Sequence, residues 1–487
     1  MGLTPTTKDA VQALVSGAGL LGANGVFLAG ASAFSNGAII YHRGCGAEFA
    51  PDNTMSGFKA GLSNGATIMD VDIRAGTDGT AIAMHDTTID RTTTGTGNAN
   101  ALDLAGVRAL TSDPGTYLAP GWGTEPVPTL DDICKEMGNQ VVLICEAKTG
   151  TVDEAAILSA FARWGIQPSK GVVSAFDYAW VQRARSMGYP IARWVTDINS
   201  TSIAANAANG VFALGASTNL TAEKVQEIKA AGMLAGVWTL NTRAEYDDYV
   251  RLRGCDFFVS DEPVYVSGRG LQRLGNQFAG GFWPHGLIPY LTANGGRGRV
   301  TADGKWQQVI LDTTAPRSCL MGFLGATSGS WQLDFILRID TSAVSNSSYT
   351  LHFNCPTDVK QGDYSSTYQP GYLMRIRRQQ EYEIYRVDNL TTLTSIGKRA
   401  AGTALPGTGT GAEANGDKTA AAGTGTPYTF RLQYNATTGV FTFYNLTTDG
   451  GAAAFSTTPD FTYQGGYIHF GRAGGVTSTI DAGIQLT

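Results

Sequence analysis

At 487 residues the chain is long enough for two or three domains, each with its own core. Charged residues make up only 16%, the net charge is −6, and no Lys/Arg-rich run occurs, so nucleic-acid binding is not suggested, although a single basic pocket stays open. The 62 glycines beside so little charge point to long β-rich and loop-rich stretches.

Between Val11 and Phe34 the chain is rich in Ala, Gly, Leu and Val. Lys8 is paired with Asp9 instead of opening a basic leader, and Asn24 and six glycines between positions 17 and 37 interrupt the apolar run. Residues 1–37 therefore read as an N-terminal attachment or oligomerisation segment. A signal peptide ending at Ala31-Ser32-Ala33 and a membrane anchor are the alternatives.

Residues 38–267 alternate strand-like and helix-like runs. The strands are expected at Ala38–Tyr41, Thr67–Ile73, Ala81–Met84, Val141–Cys145, Gly171–Ser174, Ile191–Val195, Gly210–Leu214, Leu234–Leu240 and Phe257–Ser260. Helices are expected from Thr54 to Ser63, from Asp153 to Trp164 and from Thr221 to Ala230, each with apolar residues at helical spacing. Such alternation over ~230 residues predicts an α/β domain, a (β/α)₈ barrel of the TIM type. Arg74 to Thr80 is too short for a parallel crossover and demands a hairpin or a local distortion. From Asp86 to Pro128 the chain is turn-rich, either a cover for the barrel mouth or a surface excursion.

Beyond Val266 no convincing helical pattern remains. Alternating runs such as Trp331–Ile339, Tyr372–Arg377, Tyr382–Val387, Tyr428–Tyr434 and Val440–Tyr444 predict an all-β sandwich domain over 268–487, with Asn435 to Gly439 as a hairpin loop. Residues 401–427 are low-complexity and read as a mobile loop. The six cysteines include no Cys-x-x-Cys zinc spacing. Cys145 and Cys255 sit in apolar runs and read as buried thiols; a Cys319–Cys355 disulfide is left open.

Four signals in or just past strand-like runs carry the chemistry: His42-Arg43-Gly44, Asp70-Val71-Asp72, His85-Asp86 and Glu146-Ala147-Lys148. Asp70 and Asp72 alternate onto one face of their strand. Hard divalent cations take carboxylate oxygens, so Asp70, Asp72 and Glu146 are the candidate ligands, with Ca²⁺ or Mg²⁺ as the ion. Arg43 and Lys148 supply positive charge for phosphate oxygens. His42 and His85 can exchange protons near neutrality, and Trp238 offers an apolar wall.

The segments HRGCGAEFAPDNT, MDVDIRAGTDGTAIAMHDTTIDRTTTG, VPTLDDI, LICEAK, VVSAFD, GVWTLNT and CDFFVSDEP resemble the glycerophosphodiester phosphodiesterase family in order and spacing. The resemblance implies a metal-dependent hydrolase acting on glycerol phosphodiesters, with His42 and His85 as acid and base and the substrate's own glycerol hydroxyl as a nucleophile. Two positions depart from the family pattern: Asp70 stands for its usual Glu, and Asp52 for the Glu of its Pro-Glu-Asn. Each loses a methylene and shortens the reach of an oxygen by ~1 Å, which Ca²⁺ tolerates better than Mg²⁺. A non-catalytic binding protein on a degenerate barrel is the rival expectation.

The order of attachment segment, hydrolase-like barrel and β-sandwich resembles bacteriophage tail proteins. That resemblance implies a virion location, other tail proteins and further copies of the chain as partners, and a cell-wall glycerol-phosphate polymer as substrate. The Arg431–Tyr434 and Phe441–Tyr444 hairpin weakly resembles concanavalin-like carbohydrate-binding sandwiches, which implies a carbohydrate ligand there. The competing expectation is a secreted bacterial phosphodiesterase with a sugar-binding module.

Overall fold

The computed structural model describes residues 33–34, 37–46, 50–113, 124–138, 140–267, 287–290, 298–300, 307–309, 319–323, 329–339, 348–358, 370–377, 380–389, 392–401, 426–473 and 480–486. The expectations for residues 1–32 and for most of the 401–427 loop lie outside them. The described residues divide into two units, those up to Ser267 in the first and those beyond it in the second.

In the first unit the strands are β1 (Ala38–Tyr41), β2 (Ile68–Ala75), β3 (Ala81–Ala83), β4 (Thr111–Ser112), β5 (Glu125–Pro126), β6 (Val142–Ala147) and β7 (Gly171–Ala175). They continue with β8 (Ile191–Val195), β9 (Ala213–Ser217), β10 (Leu234–Trp238) and β11 (Phe257–Ser260). Parallel pairing runs β1-β11-β10-β9-β8-β7-β6-β2, and β1 also pairs with β2, so eight strands close a barrel. The short step from Arg74 to Thr80 is the expected hairpin, with β3 antiparallel to β2.

Alternation along each strand separates the barrel's interior into an apolar floor and a polar rim. Ile40, Ile68, Val142, Ile144, Phe257 and Val259 belong to one buried cluster. Two residues on from its upper members come His42, Asp70, Glu146 and Asp261. The period-2 register carries the same face from core to mouth, at the strands' C-terminal ends. Phe34 closes the bottom, edge-on to Phe212 and Phe257 at ring distances of 5.5 and 5.8 Å. Gly215 and Gly236 face inward because a Cβ there would stand 2.3 Å from the Trp194 ring and 2.1 Å from the Phe257 ring.

The helices that return the chain are α1 (Met55–Ser63), α2 (Leu104–Ala109), α3 (Leu130–Met137), α4 (Thr151–Trp164), α5 (Gln182–Ser186), α6 (Ser200–Ala208) and α7 (Ala222–Ala230). Thr54, Thr129, Asn199 and Thr221 accept a backbone N–H at the starts of α1, α3, α6 and α7. Strand β9 begins three residues later than expected. Gly210 at φ 68° completes the turn after α6, and its N–H bonds back to the Ala207 carbonyl, so the strand starts only beyond that turn.

The 86–128 stretch, in its described residues 86–113 and 124–128, packs on a small apolar cluster of Ile82, Met84, Ile89, Ala99, Val107 and Val127. It holds α2 and the β4–β5 pair, so it is a folded insertion and not a bare excursion.

The second unit is all β. Its strands are β12 (Leu287–Tyr290), β13 (Gly298–Val300), β14 (Gln307–Val309), β15 (Cys319–Phe323), β16 (Trp331–Ile339), β17 (Ser348–Cys355) and β18 (Gly371–Arg377). Then come β19 (Tyr382–Asn389), β20 (Thr392–Arg399), β21 (Thr426–Asn435), β22 (Val440–Asn445), β23 (Phe455–Ser456), β24 (Tyr467–Ala473) and β25 (Ile480–Leu486). They form two antiparallel sheets, β12-β15-β24-β17-β18-β19-β20 and β13-β14-β25-β16-β21-β22-β23. Rings from the two sheets meet between them: Tyr372 of the first lies 4.7 Å from Phe441 of the second, and Tyr382 lies 5.1 Å from Phe443. Face-to-face packing of this kind is the expected sandwich. Asn435 closes its hairpin by accepting the N–H groups of Thr437 and Thr438, and Gly439 supplies φ 68°.

The thiols of Cys145 and Cys255 are free and buried as expected. Cys355 is also a free buried thiol, which removes the Cys319–Cys355 disulfide; its strand β17 is separated from β15 by β24 in the sheet.

Candidate active site

A cavity of about 340 Å³ opens where the strands of the barrel end. On its polar side stand His42, Arg43, Asp70, His85, Glu146, Lys148 and Asp261, and across from them Phe176, Trp194, Trp238 and Val259 form an apolar wall. Trp238 stands edge-on to Phe176 at 5.7 Å, with its indole N–H donating to the Gly215 carbonyl, and also packs against the core cluster.

Each histidine is held at Nδ1 by a carboxylate. His42 follows β1, and its Nδ1 lies 2.5 Å from Asp261 Oδ1, while Nε2 faces Asp70 at 4.0 Å. Asp261 is aimed in turn by Asn241, whose amide donates to it at 3.3 Å and whose side-chain oxygen accepts the Asp261 N–H at 2.9 Å. His85 comes from the end of the β2–β3 hairpin, with Nδ1 2.8 Å from Asp86 Oδ1. The Arg74 guanidinium donates twice to the His85 carbonyl, at 3.1 and 2.8 Å. Burial alone would lower the His42 pKa, but the charge of Asp261 and its hydrogen bond outweigh that and raise it. The same contact holds Asp261 below the ordinary carboxylate range against the upward pull of burial.

The remaining charges alternate in sign without a break. Glu146 meets Lys148 at 2.6 Å, Lys148 meets Asp72 at 3.1 Å, and Asp72 meets Arg43 at 3.4 Å. Arg43 meets Asp52 at 2.7 Å, Asp52 meets Arg91 at 2.9 Å, and Arg91 meets Asp86 at 2.5 Å. Asn53 also donates to Asp72 at 2.8 Å. Arg43 and Asn53 adopt left-handed backbone at φ 53° and 50°, a strained conformation for side-chain-bearing residues that sites of chemistry commonly hold. Burying ions costs more than burying hydrocarbon of the same shape, so such a network adds little to stability.

Register sets the carboxylate cluster. Asp70 and Asp72 share a face of β2, and Asp72 pairs with Glu146 on β6. Burial raises Asp70, and the neighbouring Asp72 raises it further. Burial also raises Glu146, whereas Lys148 and Arg43 overcome the burial of Asp72 and hold it low. Three buried carboxylates against this much cationic charge suit a hard divalent ion in donor chemistry and surplus negative charge. Among the described residues, no three acidic, His or Cys side chains stand close enough together to hold an ion as placed, because Lys148 sits between Asp72 and Glu146.

All eight residues singled out from sequence meet at this mouth. Asp52 does not point at the carboxylate cluster; it takes the guanidinium groups of Arg43 and Arg91 on one oxygen. Asp261 went unassigned although its alternation with Phe257 and Val259 marks the same inward face. Arg74, Arg91, Phe176 and Asn241 lie inside the segments that carry the family resemblance but were given no role there.

Residues 42–265 are a domain of the glycerophosphoryl diester phosphodiesterase family. A Bacillus subtilis protein, YhdW, that carries the name of a glycerophosphodiester phosphodiesterase is 25% identical over 47% of this chain and 96% of its own length. Human glycerophosphodiester phosphodiesterase 1 is 37% identical over 22% of this chain, a span of 31% of that protein. A solved Oleispira antarctica phosphodiesterase, in complex with the product sn-glycerol-3-phosphate, aligns at TM-score 0.44 and 21% identity over 49% of this chain and 98% of that one. The domain is thus a glycerophosphodiester phosphodiesterase-like hydrolase, and its family match ends where the second unit begins.

Proposed function

We propose that the barrel is a metal-dependent phosphodiesterase that cleaves glycerol phosphodiesters or a glycerol-phosphate cell-surface polymer. The observation that carries the reading is the convergence of two carboxylate-held histidines, a buried carboxylate cluster and two phosphate-suited cations on one cavity. Asp70, Asp72 and Glu146 would hold Ca²⁺ or Mg²⁺, which when bound neutralises phosphate charge and polarises the P–O bonds. Arg43 and Lys148 bind the non-bridging oxygens. One histidine takes the proton of the attacking hydroxyl, and the other returns a proton to the departing alkoxide as the P–O bond breaks. The glycerol backbone rests against Trp238 and Phe176, whose rings exclude water from that side.

Purified protein assayed with glycerophosphocholine and with poly(glycerol phosphate) should turn over only when Ca²⁺ or Mg²⁺ is present, and chelation should abolish turnover reversibly. Asp72→Asn should weaken metal binding and activity together. No metal-dependent turnover on any such substrate sinks the reading. One observation favours a second: the Lys148 ammonium between Asp72 and Glu146, with the shorter Asp70, suits a barrel that grips the substrate without cleaving it. Saturable binding of the polymer without turnover decides for that alternative.

The setting we infer is a phage tail or host-recognition protein in the virion, with other tail proteins and further copies of the chain as partners. Support comes from the order of an Ala/Gly-rich leading segment, a hydrolase barrel and an aromatic-cored sandwich. A carbohydrate ligand on the sandwich would tether a polymer and raise its local concentration at the barrel. The secreted-enzyme alternative requires loss of residues 1–33, so intact mass of natively produced protein separates the two. Retention of the full chain on whole cell walls tests the tether, and failure to bind any wall preparation removes it.

A further inference from the structure

We propose that Arg91, lent to the barrel mouth by the 86–128 insertion, is a positioning residue for both halves of the site. Its Nε donates to Asp86 Oδ2 at 2.5 Å, and the other oxygen of Asp86 holds His85 Nδ1. Its Nη2 donates to Asp52 Oδ2 at 2.9 Å, the same oxygen that takes Arg43 Nη1. One planar guanidinium thus fixes two carboxylates, and through them the proton-transfer group and the phosphate-binding fork. A lysine cannot span both, because its ammonium is a single point of charge.

The support beneath Arg91 is rigid. Ile89, Thr92 and Thr93 around it are buried, and Ile89 belongs to the insertion's apolar cluster. The Asp90 carboxylate accepts the Gly97 N–H, and the Ile89 N–H donates to the Gly97 carbonyl. A functional group held to within a fraction of an ångström needs such a scaffold. The insertion is also anchored away from the cavity, among other contacts through Arg108, whose fork grips Asp132 on α3. That second pair separates positioning from simple anchoring.

This inference rests on the hydrolase reading and deepens it. Arg91→Ala should lower kcat on the order of 10- to 100-fold while KM shifts far less, as expected when a group is misaligned and not lost. Arg91→Lys should recover part of that loss, and Arg108→Ala should leave kcat unchanged. In a His85→Ala background, Arg91→Ala should cost much less than it does alone, since the two act as one unit. Equal losses from Arg91→Ala and Arg108→Ala, full activity in Arg91→Lys, or strict additivity with His85→Ala each overturn the proposal. Absence of turnover in the unmodified protein defeats the proposed function instead. Crystal structures of the full chain then decide this inference: a displaced His85 ring and Arg43 fork in Arg91→Ala support it, and an unchanged mouth refutes it.

Discussion

Around the barrel mouth, charges of alternating sign touch one another from Glu146 to His85, whereas among the described residues of the C-terminal sheets ion pairs are short, partly exposed groupings such as Arg431–Asp334 and Asp388–Arg386–Asp460. Asp334 is gripped by the Arg431 fork at 2.7 Å on both oxygens, and Asp460 is shared by Tyr372 and Arg386. The hydrogen bonds to Asp460 hold its carboxyl below the ordinary range against the upward pull of burial. At the mouth, burial raises both Asp70 and Glu146, and the neighbouring Asp72 raises each further. The contrast is one of crowding: the C-terminal carboxylates are held by a few partners each, while the carboxylates at the mouth stand next to one another.

The comparison can be broken most sharply at the histidines. His42→Ala and His85→Ala should each lower the rate by on the order of 10²–10⁴ and leave thermal unfolding unchanged. Retention of full activity by either variant would remove that residue from the mechanism. The opposite pattern belongs to Phe441, fully buried and within 4.6–6.1 Å of the rings of Tyr434, Tyr372, Phe353 and Trp331. Phe441→Ala should cost about 3–5 kcal/mol in the sandwich and nothing in turnover. Calorimetry with a parallel assay checks this, and a matching fall in kcat would show that the two regions are not separable.

Asp460 sharpens the comparison through pH. Burial would push its carboxyl up, but hydrogen bonds from Tyr372, Thr462 and Arg386 hold it below the ordinary range. A depressed carboxyl stabilises the fold above its unfolded pKa of about 4, and that stability is lost as pH falls through the folded value. The sandwich transition should therefore move down on acidification below about pH 4, and Asp460→Asn should flatten that limb. An unchanged acid limb in the variant would assign it to other groups. The smallest effect is expected from Thr129, which caps α3 in a reciprocal box with Asp132. Thr129→Ala should cost about 1 kcal/mol of barrel stability, measured by denaturant midpoint, with kcat kept.

Much of the barrel was legible because its signals are local. Strand-like runs bounded by turns located all eight barrel strands, and the short Arg74–Thr80 step announced its hairpin through length alone. The starts of β1, β8 and β11 fell where the apolar runs begin, while β9 slipped because the Gly210 turn lies inside a run that reads as strand. In the sandwich, Trp331–Ile339 was legible to the residue for the same reason.

The eight site residues were readable because strand period carries core faces to the mouth and because their motifs stand in a family's order. What only the tertiary structure decided is which groups hold them. Asp261 meets His42 across 219 positions, and Arg91 meets Asp52 across 39. No periodicity encodes such pairs, since they depend on barrel closure and on an insertion folding over its own small core. The fate of Asp52 was of that kind: the family resemblance marked it as a shortened ligand, and only packing showed it to be the shared anchor of two arginines.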